Sequence, residues 1–133
     1  MIDFNEHFNN SYERINVNSD FFFDEFYNEF LGRSESFKEL FAGVDMDRQK
    51  KMLKKGLFYL VTFYATKKAG DSLVHLADDH YNQLKLTEEH YKIWMDSLIA
   101  TLKKVDRKFD KNAEIGWRIT LSPGLEFMQH YFK

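Results

Sequence analysis

LVHLADDH, residues Leu73–His80, places Leu73, Leu76, Ala77 and His80 at i, i+3, i+4 and i+7. On a helix those positions share one face, so the stretch predicts an apolar stripe closed by a histidine. An imidazole on a buried face requires a hydrogen bond, a carboxylate or a metal as its partner. The rest of the chain reads as a helical shell able to enclose what that imidazole binds.

Upstream and downstream the pattern stays helical. Pro123 and 6 glycines are the only strong breakers in 133 residues, and no β-alternation is sustained. Residues 4–15 form a thin stripe of Phe4, Phe8, Tyr12 and Ile15. After a break at 16–19, Ser19 or Asn18 can cap a helix over 20–32. Its inner face is Phe23, Phe26, Tyr27, Phe30 and Leu31, with Gly32 as a stop. The Tyr27 hydroxyl reads either as a core group bonded to backbone or as a donor aimed into a ligand cavity. A helical turn over 34–41 points Phe37, Leu40 and Phe41 inward.

Asp45 is the expected N-cap of a long helix over 46–67, whose stripe is Gln49, Met52, Leu53, Gly56, Leu57, Leu60, Val61 and Tyr64. Gly56 costs about 1 kcal/mol against alanine there, which close approach of another helix would explain. Gln49 reads as an inward amide or as a surface-edge residue. Ser72 is the expected cap of the helix carrying His80, and Thr87 that of the next, with its stripe of Tyr91, Trp94, Met95, Leu98, Ile99 and Leu102. A charged connection over 103–111 leads to a last helix, 111–131, carrying Ile115, Trp117, Leu121, Leu125 and Met128. Pro123 removes one of its backbone bonds.

Composition narrows the function. The length suits one domain, 1–133, with one core. Net charge is −2 with both signs scattered, so no basic patch predicts nucleic-acid binding. No cysteine is present, which excludes disulfides, thiolate-bound clusters, thiol catalysis and haem attached through Cys. The N-terminus lacks the pattern of a signal peptide, and no apolar run reaches membrane length. A cytoplasmic protein is expected. Aromatics make up 17% of the chain, walls suited to a flat ring-shaped ligand or to an aromatic core.

From about Phe22 to Met128 the chain resembles the bacterial single-domain globins and the globin portion of flavohaemoglobins. Six features carry the resemblance: the pair Phe26–Tyr27, Phe41 in FKELF, Gln49 with Leu53, HLADDH ending in His80, the pair His90–Tyr91, and Trp117. The resemblance implies an all-α globin-like fold of about six to seven helices with a shortened first helix. It implies haem b hung from His80 as proximal iron ligand, five-coordinate, with the opposite iron face open to O2, NO or CO. Tyr27 and Gln49 would donate hydrogen bonds to the bound gas, each contributing about 1–3 kcal/mol. Phe41, Met52, Leu53, Leu57, Leu76, Leu86, Tyr91 and Leu98 would line the haem, with Tyr91 matching the tyrosine that relays to the proximal histidine. A resting iron with a second ligand from Gln49, Tyr27, Met52 or His75 is the alternative to five-coordination.

Two departures bear on activity. Flavohaemoglobins complete their Tyr relay with a C-terminal Glu, and Phe132 falls near that place here. No flavin or nicotinamide domain follows, so NO dioxygenation or peroxidase activity would need an external reductase. Of the other histidines, His7, His75 and His130 are expected in solvent, and His90 in a local hydrogen bond. Three functions compete: a haem globin in oxygen binding, NO handling or gas sensing, as monomer or homodimer; a haem-free globin-like signalling module; and a generic helical interaction domain in which His80 is a satisfied core residue.

Overall fold

The computed structural model describes residues 1–131, and among them helices joined by short turns and loops are the only regular elements. Phe132, expected near the place of the relay glutamate, lies outside the described residues. Seven helices follow in order: α1 Phe4–Asn16, α2 Ser19–Gly32, α3 Glu35–Leu40, α4 Met46–Thr66, α5 Asp71–Asn82, α6 Glu88–Val105 and α7 Lys111–His130.

Local chemistry sets most of the starts. Asp3, Asn18, Ser34, Asp45 and Asp110 each accept a backbone N–H of the turn they precede, satisfying donors that a helix leaves unpaired. At α6 the contact is reciprocal in kind, because the Thr87 N–H donates to His90 Nδ1 at 2.9 Å. The cap expected from Ser72 does not occur. α5 begins two residues earlier than that cap implies, at Asp71, with Gly70 at the N-cap and the Asp71 carboxylate in the first turn, where the helix dipole favours it.

α7 is the central packing element, with α1 and α4 both crossing it, while α2 lies along α6. Two glycines allow the crossings. A Cβ at Gly116 would stand 2.5 Å from the Phe4 carbonyl oxygen, and one at Gly124 would stand 2.5 Å from Leu60 Cδ2. The expected close approach at Gly56 is looser: its nearest neighbour would be Leu76 Cδ2 at 3.7 Å, an ordinary contact. α7 continues through Pro123.

Trp117 is wholly buried at the α1–α7 crossing, edge-on to Phe8 with ring centres 4.7 Å apart. Its indole N–H donates to Ser11 Oγ at 2.9 Å, and the Ser11 hydroxyl donates to Asp106 Oδ2 at 2.6 Å. Arg14 completes the group through Nε at 2.7 Å and Nη2 at 2.9 Å to the same carboxylate. Burial alone would raise the Asp106 pKa; the bonds from Arg14, Ser11 and the Lys108 backbone outweigh it and hold the carboxyl below its ordinary value.

An acid-stability signature follows. The folded state prefers the ionised carboxylate, so the unfolded chain binds the proton more readily. The network's stabilisation is therefore present above about pH 4, the unfolded value, and is lost as pH falls through the lower folded value. Urea midpoints of wild type and Asp106→Asn should differ at pH 6, and the gap should narrow as pH falls below about 4. A gap that stays constant down to pH 2.5 would contradict the assignment.

Candidate functional site

α2, α3, α4, α5, the loop after α5, α6 and α7 all contribute to one cleft. The cavity it encloses measures about 120 Å³ and opens to solvent. Tyr27, Phe41, Gln49, Met52, Leu53 and Gly56 line it from α2, the end of α3 and α4. Leu76, His80, Leu84 and Leu86 line it from α5 and the following loop, and Tyr91 from α6. That loop is folded back by Leu84 N–H and Leu86 N–H, which donate to the Asp79 and His80 carbonyls at 3.2 and 3.1 Å.

His80 is the imidazole of this cleft. Its Nδ1 lies 3.4 Å from the Tyr91 hydroxyl. Burial drives its pKa down to about 4, against an opposing pull from Asp79, so the ring is neutral at pH 7. Burial likewise pushes Tyr91 up to about 12, keeping it a phenol. Every fully buried side-chain nitrogen and oxygen among the described residues has a hydrogen-bond partner. His80 Nε2 has none, so it opens to the cleft. With Nδ1–H donating to Tyr91, Nε2 presents a lone pair there.

Across the other elements, the Tyr27 hydroxyl donates to the Gln49 backbone carbonyl at 3.4 Å, and burial raises its pKa to about 12. Both readings of Tyr27 therefore meet in one side chain, bonded to backbone and exposed to the cleft. Gln49 is half-buried and lines the cleft; Lys54 and Lys55 face solvent.

Of the anticipated wall residues, Phe41, Met52, Leu53, Leu76, Leu86 and Tyr91 line the cleft. Leu57 and Leu98 do not: each shares a face with a cleft-lining residue one turn earlier, Leu53 and Trp94, but is buried in the core instead. Met52 and Leu40, expected inside, are 46% and 38% exposed and form part of the rim. Phe26, Phe30, Trp94, Leu125 and Met128 line the cleft as well, all on stripes visible in the sequence but read there as plain core. His90 makes its local bond and also lines the cleft. His75 is exposed, His7 half-buried, and His130 exposed at 3.1 Å from Glu126.

No protein-family model matches the chain, and no curated protein matches it. A solved structure does. A Pseudomonas aeruginosa protein, described as structurally highly homologous to a human haemoglobin, superposes with a TM-score of 0.88. The match covers 98% of each chain at 28% identity. This chain has the globin fold. The resemblance to bacterial single-domain globins, drawn from HLADDH and its companions, thus holds in three dimensions.

The donor set of this cleft suits haem better than a bare ion. No group of three or more His, Cys, Asp or Glu able to hold a metal occurs among the described residues. A metal seated here must bring most of its ligands with it, as iron in a porphyrin does. One neutral imidazole nitrogen in a mostly apolar, aromatic-walled cleft is the complement such a group needs.

Proposed function

We propose that this chain is a haem-binding globin that binds a diatomic gas. The observation that carries the reading is His80: Nδ1 engaged by Tyr91, Nε2 open to an apolar cleft. Haem b, when bound, supplies an iron centre for O2, NO or CO. The chain supplies the remainder. His80 Nε2 would hold the iron as its single protein ligand, leaving it five-coordinate. Tyr91 fixes the imidazole plane and tautomer, since a second partner on the far nitrogen orients a ligating histidine. Phe41, Leu53, Leu76 and Leu86 exclude water. The Gln49 amide, and the Tyr27 hydroxyl once its proton turns from the Gln49 carbonyl, would be the donors offered to a gas with partial negative charge.

Oxygen binding, NO handling and gas sensing are all compatible with this chemistry, in a cytoplasmic monomer or homodimer without nucleic-acid or membrane partners. No helix among the described residues is long and apolar enough to cross a membrane. Dioxygenase or peroxidase turnover would draw electrons from an external reductase; sensing would use a signalling partner.

The test is haemin titration of the purified protein, followed by O2 release from the reduced form. The account predicts a saturable Soret band at one haemin per chain. Tyr27→Phe should then speed O2 release about 5- to 150-fold, the loss of one hydrogen bond worth roughly 1–3 kcal/mol. An unchanged off-rate removes Tyr27 from the gas site. A folded protein that retains no haemin would instead favour the haem-free signalling module.

A further inference from the structure

The outer face of α4 carries a charge pattern that the gas site does not use. Arg48, Lys51, Lys54 and Lys55 are all exposed there, on a chain whose net charge is −2. None of them has an ion pair among the described residues. Neighbouring cations are already engaged: Lys50 pairs with Asp24 at 2.8 Å and with Asp47 at 3.4 Å, and Lys104 with Glu25 at 2.9 Å. Helical spacing sets Arg48, Met52 and Lys55 on one stripe, and Lys51, Lys54, Lys55 and Phe58 on the adjoining one. Like charges one turn apart, as at Lys51 and Lys55, weaken a helix slightly, so the pattern works against stability.

The face is not only charged. Phe58 is 59% exposed, and Met52 is exposed while also lining the cleft. An apolar footing bordered by cations is the make-up of a protein interface, where aromatic residues, Met and Arg are enriched. A membrane is a poorer match, since the apolar side of α4 (Leu53, Leu57 and Leu60) is buried in the core and cannot insert. A nucleic-acid backbone is a poorer match too, because Asp24, Asp45 and Asp47 border the cations. The elements lining the rest of the cleft carry the opposite sign: Asp78 and Asp79 on α5, and Glu88 and Glu89 at the start of α6, are exposed. An acidic partner is repelled there and drawn to α4.

Resting on the haem reading above, we infer that the outer face of α4 from Arg48 to Phe58 is the docking surface of an acidic electron-donating protein. Met52 belongs both to this face and to the cleft lining, so a protein seated here abuts the cofactor site. The cations steer the encounter, and Phe58 and Met52 supply its apolar contact. The step is a one-electron transfer. The donor is oxidised by one electron, ferric haem iron becomes ferrous, and no bond between the two proteins forms or breaks.

The experiment follows reduction of the haemin-loaded full chain by stopped flow under CO, which traps the ferrous form. The donors are a reduced acidic [2Fe–2S] ferredoxin and durohydroquinone, which is small and uncharged. Lys51→Glu/Lys55→Glu should lower the ferredoxin rate constant about tenfold at roughly 20 mM salt, and the gap should close near about 1 M, where screening is nearly complete. Its durohydroquinone rate should match wild type. Lys68→Glu/Arg107→Glu makes the same charge change at exposed positions elsewhere and should leave both rates near wild type. A ferredoxin rate unaffected by Lys51→Glu/Lys55→Glu overturns the docking surface, as does an equal loss in Lys68→Glu/Arg107→Glu. A wild type that durohydroquinone reduces and ferredoxin does not overturns it too. Binding of wild type to phosphatidylserine vesicles at about 0.15 M salt, lost in Lys51→Glu/Lys55→Glu, would overturn the protein partner in favour of a membrane. A folded chain that retains no haemin, and so shows no Soret band, overturns the haem reading and this inference with it.

Discussion

Replacing Trp117 with alanine is expected to destabilise the fold by about 3–5 kcal/mol, the usual range for removing a buried tryptophan. The side chain is fully buried. It touches Phe8 and Tyr12 edge-on, with ring centres 4.7 and 5.8 Å away. The crossing of α1 over α7 cannot collapse into the space left, because the backbones already meet at Gly116. The substitution also removes the N–H that Ser11 accepts, at the inner end of the chain of bonds running to Asp106 and Arg14. Trp117→Phe keeps most of the volume and loses only the donor, so its cost should be about 1–2 kcal/mol. Urea denaturation followed by far-ultraviolet circular dichroism measures both. Trp117 does not line the cleft, so the folded alanine variant should still take up haemin at low temperature. A midpoint within error of wild type would mean that the α1–α7 contact contributes little to stability.

The residues legible in the sequence were those whose role follows from position along one helix. The stripe through Leu73, Leu76, Ala77 and His80 is local, and the structure keeps Leu73 and Ala77 buried and His80 in the cleft. The caps at Asn18, Asp45 and Thr87 are equally local, needing only a side chain and the next turn. The FY pair, Gln49 and Tyr91 stand out through resemblance; in the structure Tyr27 bonds the Gln49 backbone carbonyl and Tyr91 lies beside His80.

What escaped depends on a partner element that spacing does not reveal. Asp106 lies within a run of charges, Lys103 to Lys111, that reads as solvated. Only Ser11 and Arg14, more than ninety positions away, make its burial favourable. Gly116 and Gly124 resemble weak points in a helix until α1 and α4 are laid across them. Met52 fits the inner stripe by period, yet the cleft opens at that turn and exposes 46% of it. Leu57 and Leu98 are apolar and correctly phased, but phase distinguishes inside from outside, not cavity wall from core. The sequence places His90 in a local hydrogen bond, and only the packing of Phe37 on its ring shows that it also faces the cleft.

The largest functional effect is expected at His80. His80→Gly removes the imidazole and leaves a cavity of its shape beside Tyr91. Glycine inside α5 costs about 1 kcal/mol in helix stability, small enough for the fold to persist. Without Nε2 the cleft retains its apolar walls but has no strong donor for the iron, so haemin should bind weakly and without its normal axial ligation. Free imidazole is of the size removed and can donate the same hydrogen bond to the Tyr91 hydroxyl.

The most direct measurement is therefore the absorption spectrum of wild type and His80→Gly loaded with haemin, reduced and exposed to CO, without and with added imidazole. The account predicts a sharp Soret band that shifts on CO in wild type, an altered or absent band in His80→Gly, and recovery of the wild-type spectrum with imidazole. A His80→Gly spectrum identical to wild type before any imidazole is added would contradict it.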